Sequence, residues 1–189
     1  GYTLITGASS GMGEATAKLL SATRNLVLHG RDEARLADVG EACAANGADV
    51  VLFPFDLEQA DTVGSALTAL LKEKEAPVEA FVHFAGMTEV LPISKTKYSS
   101  ATEIISALLK KKVNGKALRN IVLTSSVAAS VGMRYQPHYC SSKGAINSLG
   151  IALACELAPE IRVNVIAPGS FRTRITQTLF ADTSPDAPW

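Results

Sequence analysis

Six short apolar runs recur along the chain, each separated from the next by a segment of good helix formers. The runs are nearly continuous in hydrophobic residues, as is typical of strands buried on both faces of a parallel sheet. Helical crossovers between such strands predict one α/β domain, with helices covering both faces of the sheet. The predicted strands are Tyr2–Thr6, Asn25–His29, Val50–Phe55, Ala80–Phe84, Ile121–Thr124 and Arg162–Ile166. The predicted helices lie near Met12–Thr23, Asp32–Asn46, Glu58–Glu73, Ala101–Lys112 and Ser141–Leu157.

Composition and charge narrow the class of protein. With 189 residues, of which 47% are hydrophobic, the chain is long enough for one domain with a sizeable core. Eighteen basic and eighteen acidic residues cancel, so we expect no nucleic-acid partner and no membrane partner. No apolar stretch is long enough to span a bilayer, and we find no signal peptide. Cys43, Cys140 and Cys155 are widely spaced, which indicates reduced thiols in a cytoplasmic protein rather than metal ligands.

A glycine-rich segment follows the first predicted strand and precedes the first predicted helix. It runs from Thr6 to Gly13 and reads Thr-Gly-Ala-Ser-Ser-Gly-Met-Gly. Glycines at such a junction permit a tight turn, close approach of the backbone to a pyrophosphate, and close packing of helix on strand. The helix then offers free N–H groups to the phosphates. The segment therefore predicts a dinucleotide site, and the alternative is a glycine-rich turn that binds no ligand.

Three residues in the second half of the chain form a candidate catalytic set. Tyr139 and Lys143 stand four residues apart, and Ser126 lies thirteen residues before Tyr139, after an apolar run. Positions i and i+4 share one face of a helix, so the Lys143 ammonium can lie beside the Tyr139 phenol. A nearby cation favours the ionised phenolate, which helps a tyrosine to give or take a proton near neutral pH. Ser126 could hold a substrate oxygen by a hydrogen bond during that transfer.

With both motifs in place, the chain resembles the short-chain dehydrogenases/reductases over nearly its whole length. Thr6 to Gly13 match the family's TGxxxGxG motif, and Ser126, Tyr139 and Lys143 match its Ser…YxxxK set with the family's spacing. Within the family, the chain looks most like 3-oxoacyl-(acyl-carrier-protein) reductases. The resemblance implies a Rossmann-type doubly wound parallel sheet in three layers. It also implies a homodimer or homotetramer, and small residues after Tyr139 would permit close helix–helix approach, although an intrachain contact would give the same composition.

The resemblance further implies which residues contact the cofactor. Asp56 would meet the adenine amino group, with Leu57 beside the ring, although Asp56 could also be the N-cap of a helix starting at Glu58. Lys143 would bind the nicotinamide ribose, and Pro168-Gly169 would turn the chain under the nicotinamide. The implied cofactor-binding residues are Gly7, Ser9, Ser10, Gly11, Met12, Gly13, Gly30, Arg31, Asp56, Leu57, Ala85, Gly86, Tyr139, Lys143, Pro168, Gly169, Phe171 and Thr173.

The end of the second predicted strand bears on the choice between NAD and NADP. Gly30 stands where the family's NAD-dependent members carry an acid that binds the ribose hydroxyls, and Arg31 follows it. Because arginine can bind a phosphate through two hydrogen bonds, we expect NADP(H) in preference to NAD(H). The alternative is that Arg31 is a solvated loop residue and that Asp32 serves only as a helix N-cap.

The chain departs from the family in several places. The family usually carries Asn-Asn-Ala-Gly after the fourth strand, where this chain has His83-Phe84-Ala85-Gly86. We interpret His29 and His83 as packing residues, since a lone histidine is weak grounds for a ligand. No asparagine occurs between Asn46 and Asn114, and Asn114 comes too late to match the family's catalytic asparagine. We therefore expect a missing segment between Tyr98 and Ser99, and further missing residues at both ends of the single domain.

The sequence thus predicts an NADP(H)-dependent carbonyl reductase or alcohol dehydrogenase that acts on a small carbonyl or alcohol substrate, including 3-oxoacyl thioesters. Tyr139 would transfer the proton and Ser126 would orient the oxygen. Two alternatives remain at this point. One is an NAD(P)-dependent epimerase or dehydratase on the same fold, which would consume no net NADPH. The other is a non-catalytic NAD(P)-binding redox sensor, which would bind NADPH without turnover.

Overall fold

The computed structural model describes residues 1–86, 99–133 and 136–169. Six parallel strands form one sheet in the order β3-β2-β1-β4-β5-β6. Because β1 lies between β2 and β4, the direction of winding reverses between β1 and β4, which is where ligands of doubly wound sheets bind. The strands are β1 Tyr2–Thr6, β2 Asn25–Gly30, β3 Val50–Pro54, β4 Val78–His83, β5 Asn120–Thr124 and β6 Arg162–Ile166. This order confirms the predicted Rossmann-type sheet.

Helices connect successive strands and cover both faces of the sheet. On one face, Leu4, Phe81 and Leu123 pack with side chains of the third, fourth and seventh helices. On the other face, Ile5 and Leu28 pack with side chains of the first and second helices. The predicted three-layer arrangement is therefore confirmed. The helices are α1 Gly11–Leu20, α2 Glu33–Ala45, α3 Ala60–Glu73, α4 Ser99–Leu109, α5 Lys111–Asn114, α6 Ala128–Val131 and α7 Pro137–Leu157.

Some predicted helix boundaries are wrong. α7 begins at Pro137 rather than at Ser141, because proline fits the first turn of a helix, where its missing N–H is not needed. The predicted helix Ala101–Lys112 is two helices, since Lys110 adopts an extended conformation between α4 and α5. Lys110, Lys111 and Lys112 lie at this junction and are exposed. The short helix α6 has no counterpart among the predicted elements.

Two further features of the described part of the chain bear on membrane and metal binding. There, no helix is both long and apolar enough to cross a lipid bilayer. The same residues contain no cluster of three or more histidine, cysteine or acidic side chains that could hold a metal ion. Cys43, Cys140 and Cys155 are free thiols, as predicted.

Candidate active site

The glycine-rich turn after β1 is packed tightly against its neighbours. Gly7 has a φ of +71°, a conformation that side chains disfavour, and a Cβ there would lie 2.9 Å from the backbone nitrogen of Ala85. A Cβ on Gly13 would lie 2.2 Å from the Gly7 carbonyl oxygen. The turn therefore requires glycine at both positions, because it lies between the first turn of α1 and the end of β4.

The amino end of α1 lies where the carboxyl ends of the parallel strands meet. We call this side of the sheet the carboxyl edge, and the side where the strands begin the amino edge. Ser10 is the N-cap residue, but its side chain makes no capping hydrogen bond. The Glu14 N–H donates to the Ser10 carbonyl at 3.3 Å. The N–H groups before Glu14 have no intrahelical acceptor, as is general for the first turn of a helix. The predicted phosphate-contacting residues Ser9, Ser10, Gly11, Met12 and Gly13 are therefore placed together at this turn.

The end of β2 brings a cation close to the turn. A Cβ on Gly30 would lie 2.9 Å from the Ser9 side chain, so β2 passes directly beside the glycine-rich segment. Arg31 is exposed, and its Nη1 lies 3.8 Å from Oε1 of Glu58. Asp32 caps α2 by accepting a hydrogen bond from the Arg35 N–H at 3.1 Å, which together with the Arg35 side chain lowers the Asp32 pKa. Asp32 is thus an N-cap, whereas the one ion pair that Arg31 makes within the described part of the chain is a long surface pair.

Asp56 and Leu57 follow the end of β3. The Asp56 carboxylate accepts a hydrogen bond from the Glu58 N–H at 3.0 Å, which closes a local turn. The alternative in which Asp56 caps the next helix is wrong, because α3 begins at Ala60 and its N-cap is Gln59. Leu57 is half-buried against the core. Asp56 therefore remains at the carboxyl edge with its carboxylate engaged in a turn rather than in a helix cap.

The predicted catalytic set lies around the end of β5. Tyr139 and Lys143 both belong to α7, and Lys143 Nζ lies 5.8 Å from the centroid of the Tyr139 ring. Ser126 is buried two residues after the end of β5, and its Oγ accepts a hydrogen bond from the Ala128 N–H at 3.2 Å. Ser125 Oγ donates to the Lys143 carbonyl at 2.8 Å, which ties the β5 end to α7. The predicted pairing of Tyr139 with Lys143 on one helix face is thus present.

Lys143 carries a positive charge into a mostly buried position. Its ammonium donates to the Thr124 carbonyl at 3.0 Å. Burial lowers the pKa of Lys143 from its ordinary value, and within the described residues it forms no ion pair with a carboxylate. A Cβ on Gly86 would lie 3.6 Å from Lys143 Nζ. The cation therefore stands directly beside the Ala85-Gly86 segment that was predicted to contact the cofactor.

The segment after β6 reaches the same edge. The Val127 N–H donates to the Pro168 carbonyl at 3.1 Å, so Pro168-Gly169 runs beside the turn that carries Ser126. Phe171 and Thr173, two further predicted cofactor contacts, lie outside the described residues. So does the connection between Tyr98 and Ser99, where a missing segment was predicted.

Asn114 has a role at the other edge of the sheet. Its side chain accepts a hydrogen bond from the Val78 N–H at 2.6 Å and donates to the Val78 carbonyl at 2.8 Å. Val78 is the first residue of β4, so Asn114 lies at the amino edge, away from Ser126 and Lys143. This position agrees with the prediction that Asn114 does not match the catalytic asparagine.

Two histidines at the carboxyl edge were interpreted as packing residues, and that interpretation was incomplete. His29 and His83 are buried, and both make side-chain hydrogen bonds to the glycine-rich turn. Burial lowers the pKa of His29 to about 4. Burial, the Lys143 charge and His29 lower the pKa of His83 to about 3. The sequence placed them at or next to the ends of the second and fourth predicted strands, but their hydrogen bonds to the turn depend on β1 lying between those two strands.

Comparisons with known proteins agree with this geometry. The sequence profile of the family described as short chain dehydrogenase matches residues 2–184. The 3-oxoacyl-(acyl-carrier-protein) reductase of Synechocystis sp. is 29% identical over 196 residues, with 95% of this chain and 77% of that protein covered. The rhamnolipids biosynthesis 3-oxoacyl-(acyl-carrier-protein) reductase of Pseudomonas aeruginosa is 30% identical over 196 residues, with coverages of 95% and 76%. The solved RhlG/NADP active-site complex of Pseudomonas aeruginosa is similar with a TM-score of 0.82 and 29% identity, covering 96% of this chain and 76% of that one.

Proposed function

The chain belongs to the short-chain dehydrogenase family of oxidoreductases, which act on CH–OH groups, and we propose that it is an NADP(H)-dependent carbonyl reductase or alcohol dehydrogenase. One observation carries this proposal: the partly buried Lys143 ammonium lies 5.8 Å from the centroid of the Tyr139 ring, beside the end of β5. A buried cation that lacks a carboxylate partner among the described residues destabilises the fold. A role in chemistry gives a reason for keeping it there.

The described residues fit a dinucleotide. The glycine-rich turn packs too closely at Gly7 and Gly13 to admit a side chain, as backbone that approaches a pyrophosphate requires. The first turn of α1 offers N–H groups to the phosphates. We propose that Lys143 binds the ribose hydroxyls, and its position beside Gly86, where a Cβ would lie 3.6 Å from Nζ, supports this. Asp56, Leu57, Ala85, Pro168 and Gly169 complete the proposed cofactor site, together with Phe171 and Thr173.

Arg31 is the reason for proposing NADP rather than NAD. Its side chain is 66% exposed, and among the described residues its one ionic partner is Glu58 at 3.8 Å. A loosely held arginine after Gly30 can turn to a 2′-phosphate and bind it through two hydrogen bonds. The family includes a member solved as a complex with NADP, which supports the same choice.

The proposed chemistry assigns one task to each catalytic residue. When bound, the nicotinamide supplies or accepts the hydride at the substrate carbon. Ser126 holds the substrate oxygen by a hydrogen bond, and Tyr139 gives the proton to that oxygen or takes it back. The Lys143 ammonium stabilises the Tyr139 phenolate that remains after the proton has left. The Thr124 carbonyl holds the ammonium in place through the 3.0 Å hydrogen bond.

We further propose a 3-oxoacyl thioester as the substrate class. Two relatives carry the name 3-oxoacyl-(acyl-carrier-protein) reductase, each at about 30% identity. A ketone beside a thioester would present a carbonyl oxygen of the kind that we propose Ser126 and Tyr139 bind.

The test is NADPH and NADH oxidation by the purified full-length protein against acetoacetyl thioesters, diketones, aldehydes and keto-sugars. We expect turnover with NADPH that falls at least about 100-fold in Tyr139→Phe, because the proton donor is lost. Tyr2→Phe is the matched control. It removes the same hydroxyl at the amino edge, where Tyr2 donates to Asp49, and should leave turnover unchanged. Turnover that survives in Tyr139→Phe would contradict the proposal, and product formation without net NADPH consumption would indicate the epimerase or dehydratase.

A cofactor-binding redox sensor is the second candidate function. The observation in its favour is the position of Asn114, which lies at the amino edge and bonds to Val78 rather than joining the catalytic set. No other asparagine occurs between Asn46 and Asn114 in the sequence. NADPH binding without turnover of any compound in the panel would favour the sensor over the reductase.

We also propose a cytoplasmic homodimer or homotetramer that associates through α7. Ile151 on this helix is 67% exposed, and a Cβ on Gly144 would meet no atom within 4 Å. Gly150, by contrast, serves an intrachain contact, because a Cβ there would lie 2.1 Å from Val165 Cγ2. A mass measured by light scattering that corresponds to two or four chains would support the proposal, and a monomeric mass would contradict it.

A further inference from the structure

Thr6 lies between two histidines in the sheet. In the parallel register, Thr6 of β1 pairs with His29 of β2 on one side and with His83 of β4 on the other. Both histidines are buried, with 3% and 7% of their surfaces exposed. They therefore flank the point at which the chain leaves β1 and enters the glycine-rich turn.

His29 holds the turn through its ring and its backbone. The Gly7 N–H donates to His29 Nδ1 at 3.5 Å, and the Ala8 N–H donates to the His29 carbonyl at 2.8 Å. On the far side of the ring, Nε2 lies 3.0 Å from the Phe55 carbonyl oxygen. Two consecutive N–H groups of the turn thus bond to one residue of β2, whose ring is itself tied to the segment after β3.

His83 holds the turn from the opposite side. Its Nδ1 lies 2.8 Å from Thr6 Oγ1. The same hydroxyl lies 3.4 Å from the Ala85 nitrogen, which donates to it. The Phe84 N–H donates to the Thr6 carbonyl at 3.2 Å. The end of β4 and the start of the turn are therefore connected through the Thr6 hydroxyl and the His83 ring.

Counting donors and acceptors assigns the protons on both rings. Gly7 N–H can only donate and the Phe55 carbonyl can only accept, so His29 carries its proton on Nε2 and accepts at Nδ1. Thr6 Oγ1 accepts from Ala85 with one lone pair, and we infer that its own proton goes to His83 Nδ1, which gives the hydroxyl both a donor and an acceptor role and leaves the ring proton on Nε2. Both rings are thus neutral and both present an acceptor to the turn.

We propose that His29 and His83 are positioning residues, which hold the Thr6–Gly7 turn from both sides through Nδ1 acceptors and so set the backbone that receives the dinucleotide phosphates. This inference rests on the proposed dinucleotide cofactor. It goes beyond packing, because an apolar side chain of similar size would leave the Gly7 N–H and the Thr6 hydroxyl without their acceptors. Since the pyrophosphate is common to both dinucleotides, the two histidines act equally on NADPH and NADH.

The experiment compares two amide substitutions at each histidine in the full-length protein. Asparagine places its carbonyl oxygen where histidine has Nδ1, whereas glutamine places its amide where histidine has Nε2. His29→Asn therefore keeps the acceptor for Gly7, and His29→Gln keeps only the partner of Phe55. His83→Asn and His83→Gln make the same distinction for Thr6. Dissociation constants for NADPH and NADH follow from titrations of nucleotide fluorescence.

We expect the two asparagine variants to bind both dinucleotides nearly as wild type, and the glutamine variants to bind both about tenfold more weakly. Equal affinity in the asparagine and glutamine variants would overturn the inference. So would an effect on only one dinucleotide. A wild-type protein that binds NADH more tightly than NADPH would contradict the proposed NADP preference and leave the positioning role standing.

A second measurement needs neither cofactor nor substitution. Nitrogen chemical shifts of the histidine rings at neutral pH should show Nε2 protonated and Nδ1 unprotonated in both His29 and His83. A proton on Nδ1 of His29 would overturn the inference by itself, since that ring could not accept from Gly7. This measurement decides the matter even if a glutamine variant fails to fold.

Discussion

The amino and carboxyl edges of the sheet both bury polar side chains, but they give them different partners. At the amino edge, Asn114 makes two hydrogen bonds with the backbone of a single residue, Val78, and its polar atoms are matched. At the carboxyl edge, the Lys143 ammonium is partly buried and donates to a carbonyl at 3.0 Å, and within the described residues no carboxylate balances its charge. Matched groups stabilise a fold, and incompletely matched groups are available to a ligand.

The strongest test of this contrast is Lys143→Met. We expect turnover to fall about 100-fold or more, because the cation that stabilises the Tyr139 phenolate is lost. The melting temperature should stay the same or rise, since removing a buried charge relieves its desolvation. Steady-state kinetics and thermal unfolding measure the two effects. Lys72→Met, on the exposed surface of α3, is the matched control and should change neither.

A Lys143→Met protein that melts far below wild type, but keeps its turnover per folded molecule, would contradict the contrast drawn between the two edges. That outcome would make Lys143 a structural residue like Asn114, and the carboxyl edge would then hold its polar groups as the amino edge does.

The complementary test is Asn114→Ala at the amino edge. The Val78 N–H and carbonyl would both lose their buried partner, so we expect a loss of about 3 kcal/mol in the free energy of unfolding. Turnover per folded molecule should not change, because Asn114 is far from Ser126 and Lys143. Urea unfolding monitored by circular dichroism measures the first effect. A large fall in the turnover of the folded variant would show that the two edges are coupled.

At both edges, the features that depend on residues close together in sequence were predictable. The hydrogen bonds between residues far apart in sequence were not. Apolar runs and helix-forming segments locate the strands, and the four-residue spacing of Tyr139 and Lys143 places them on one helix face, since these signals depend on near neighbours in sequence. The hydrogen-bond partners of Asn114, His29 and His83 lie 22 to 77 residues away along the chain. Such partners follow only from the strand order and register, which a hydrophobic pattern does not specify.

Helix ends were the least predictable local feature. Lys110 breaks the segment between α4 and α5 although its neighbours are good helix formers, because the chain must turn there for Asn114 to reach Val78. Asp56 was a plausible helix cap by residue type, but the turn it closes with Glu58 delays α3 to Ala60. In both cases a tertiary or turn contact outweighs intrinsic propensity.

Acid should lower the free energy of unfolding through the buried histidines of the carboxyl edge. The His29 pKa is lowered to about 4 in the folded protein, so in the window from about pH 6.5 down to about 4 the unfolded chain binds more protons than the folded one. His29 alone therefore contributes stability that is complete above about pH 6.5 and smaller by about 2 kcal/mol at about pH 5, and His83, whose pKa is lowered to about 3, adds a further loss over the same range. Urea unfolding at a series of pH values measures the slope.

His29→Asn is the control for this acid sensitivity, because it keeps an acceptor for Gly7 and cannot titrate in this range. We expect its stability to change less between about pH 6.5 and about 5 than that of wild type. An identical slope in the two proteins would assign the acid sensitivity to other groups.

The smallest expected effect concerns Glu58, which lies at the carboxyl edge and pairs with Arg31 at 3.8 Å. This surface pair contributes at most about 1 kcal/mol, yet it competes with a 2′-phosphate for the same guanidinium. In Glu58→Gln, Arg31 loses that competitor, so we expect NADPH to bind a few fold more tightly and NADH to bind as in wild type, with a difference that shrinks at high salt. Glu73→Gln, an exposed change at the end of α3, is the matched control. Equal gains for both dinucleotides would mean that Glu58 acts on a part of the cofactor that NAD and NADP share, and Arg31 would no longer explain a preference for NADP.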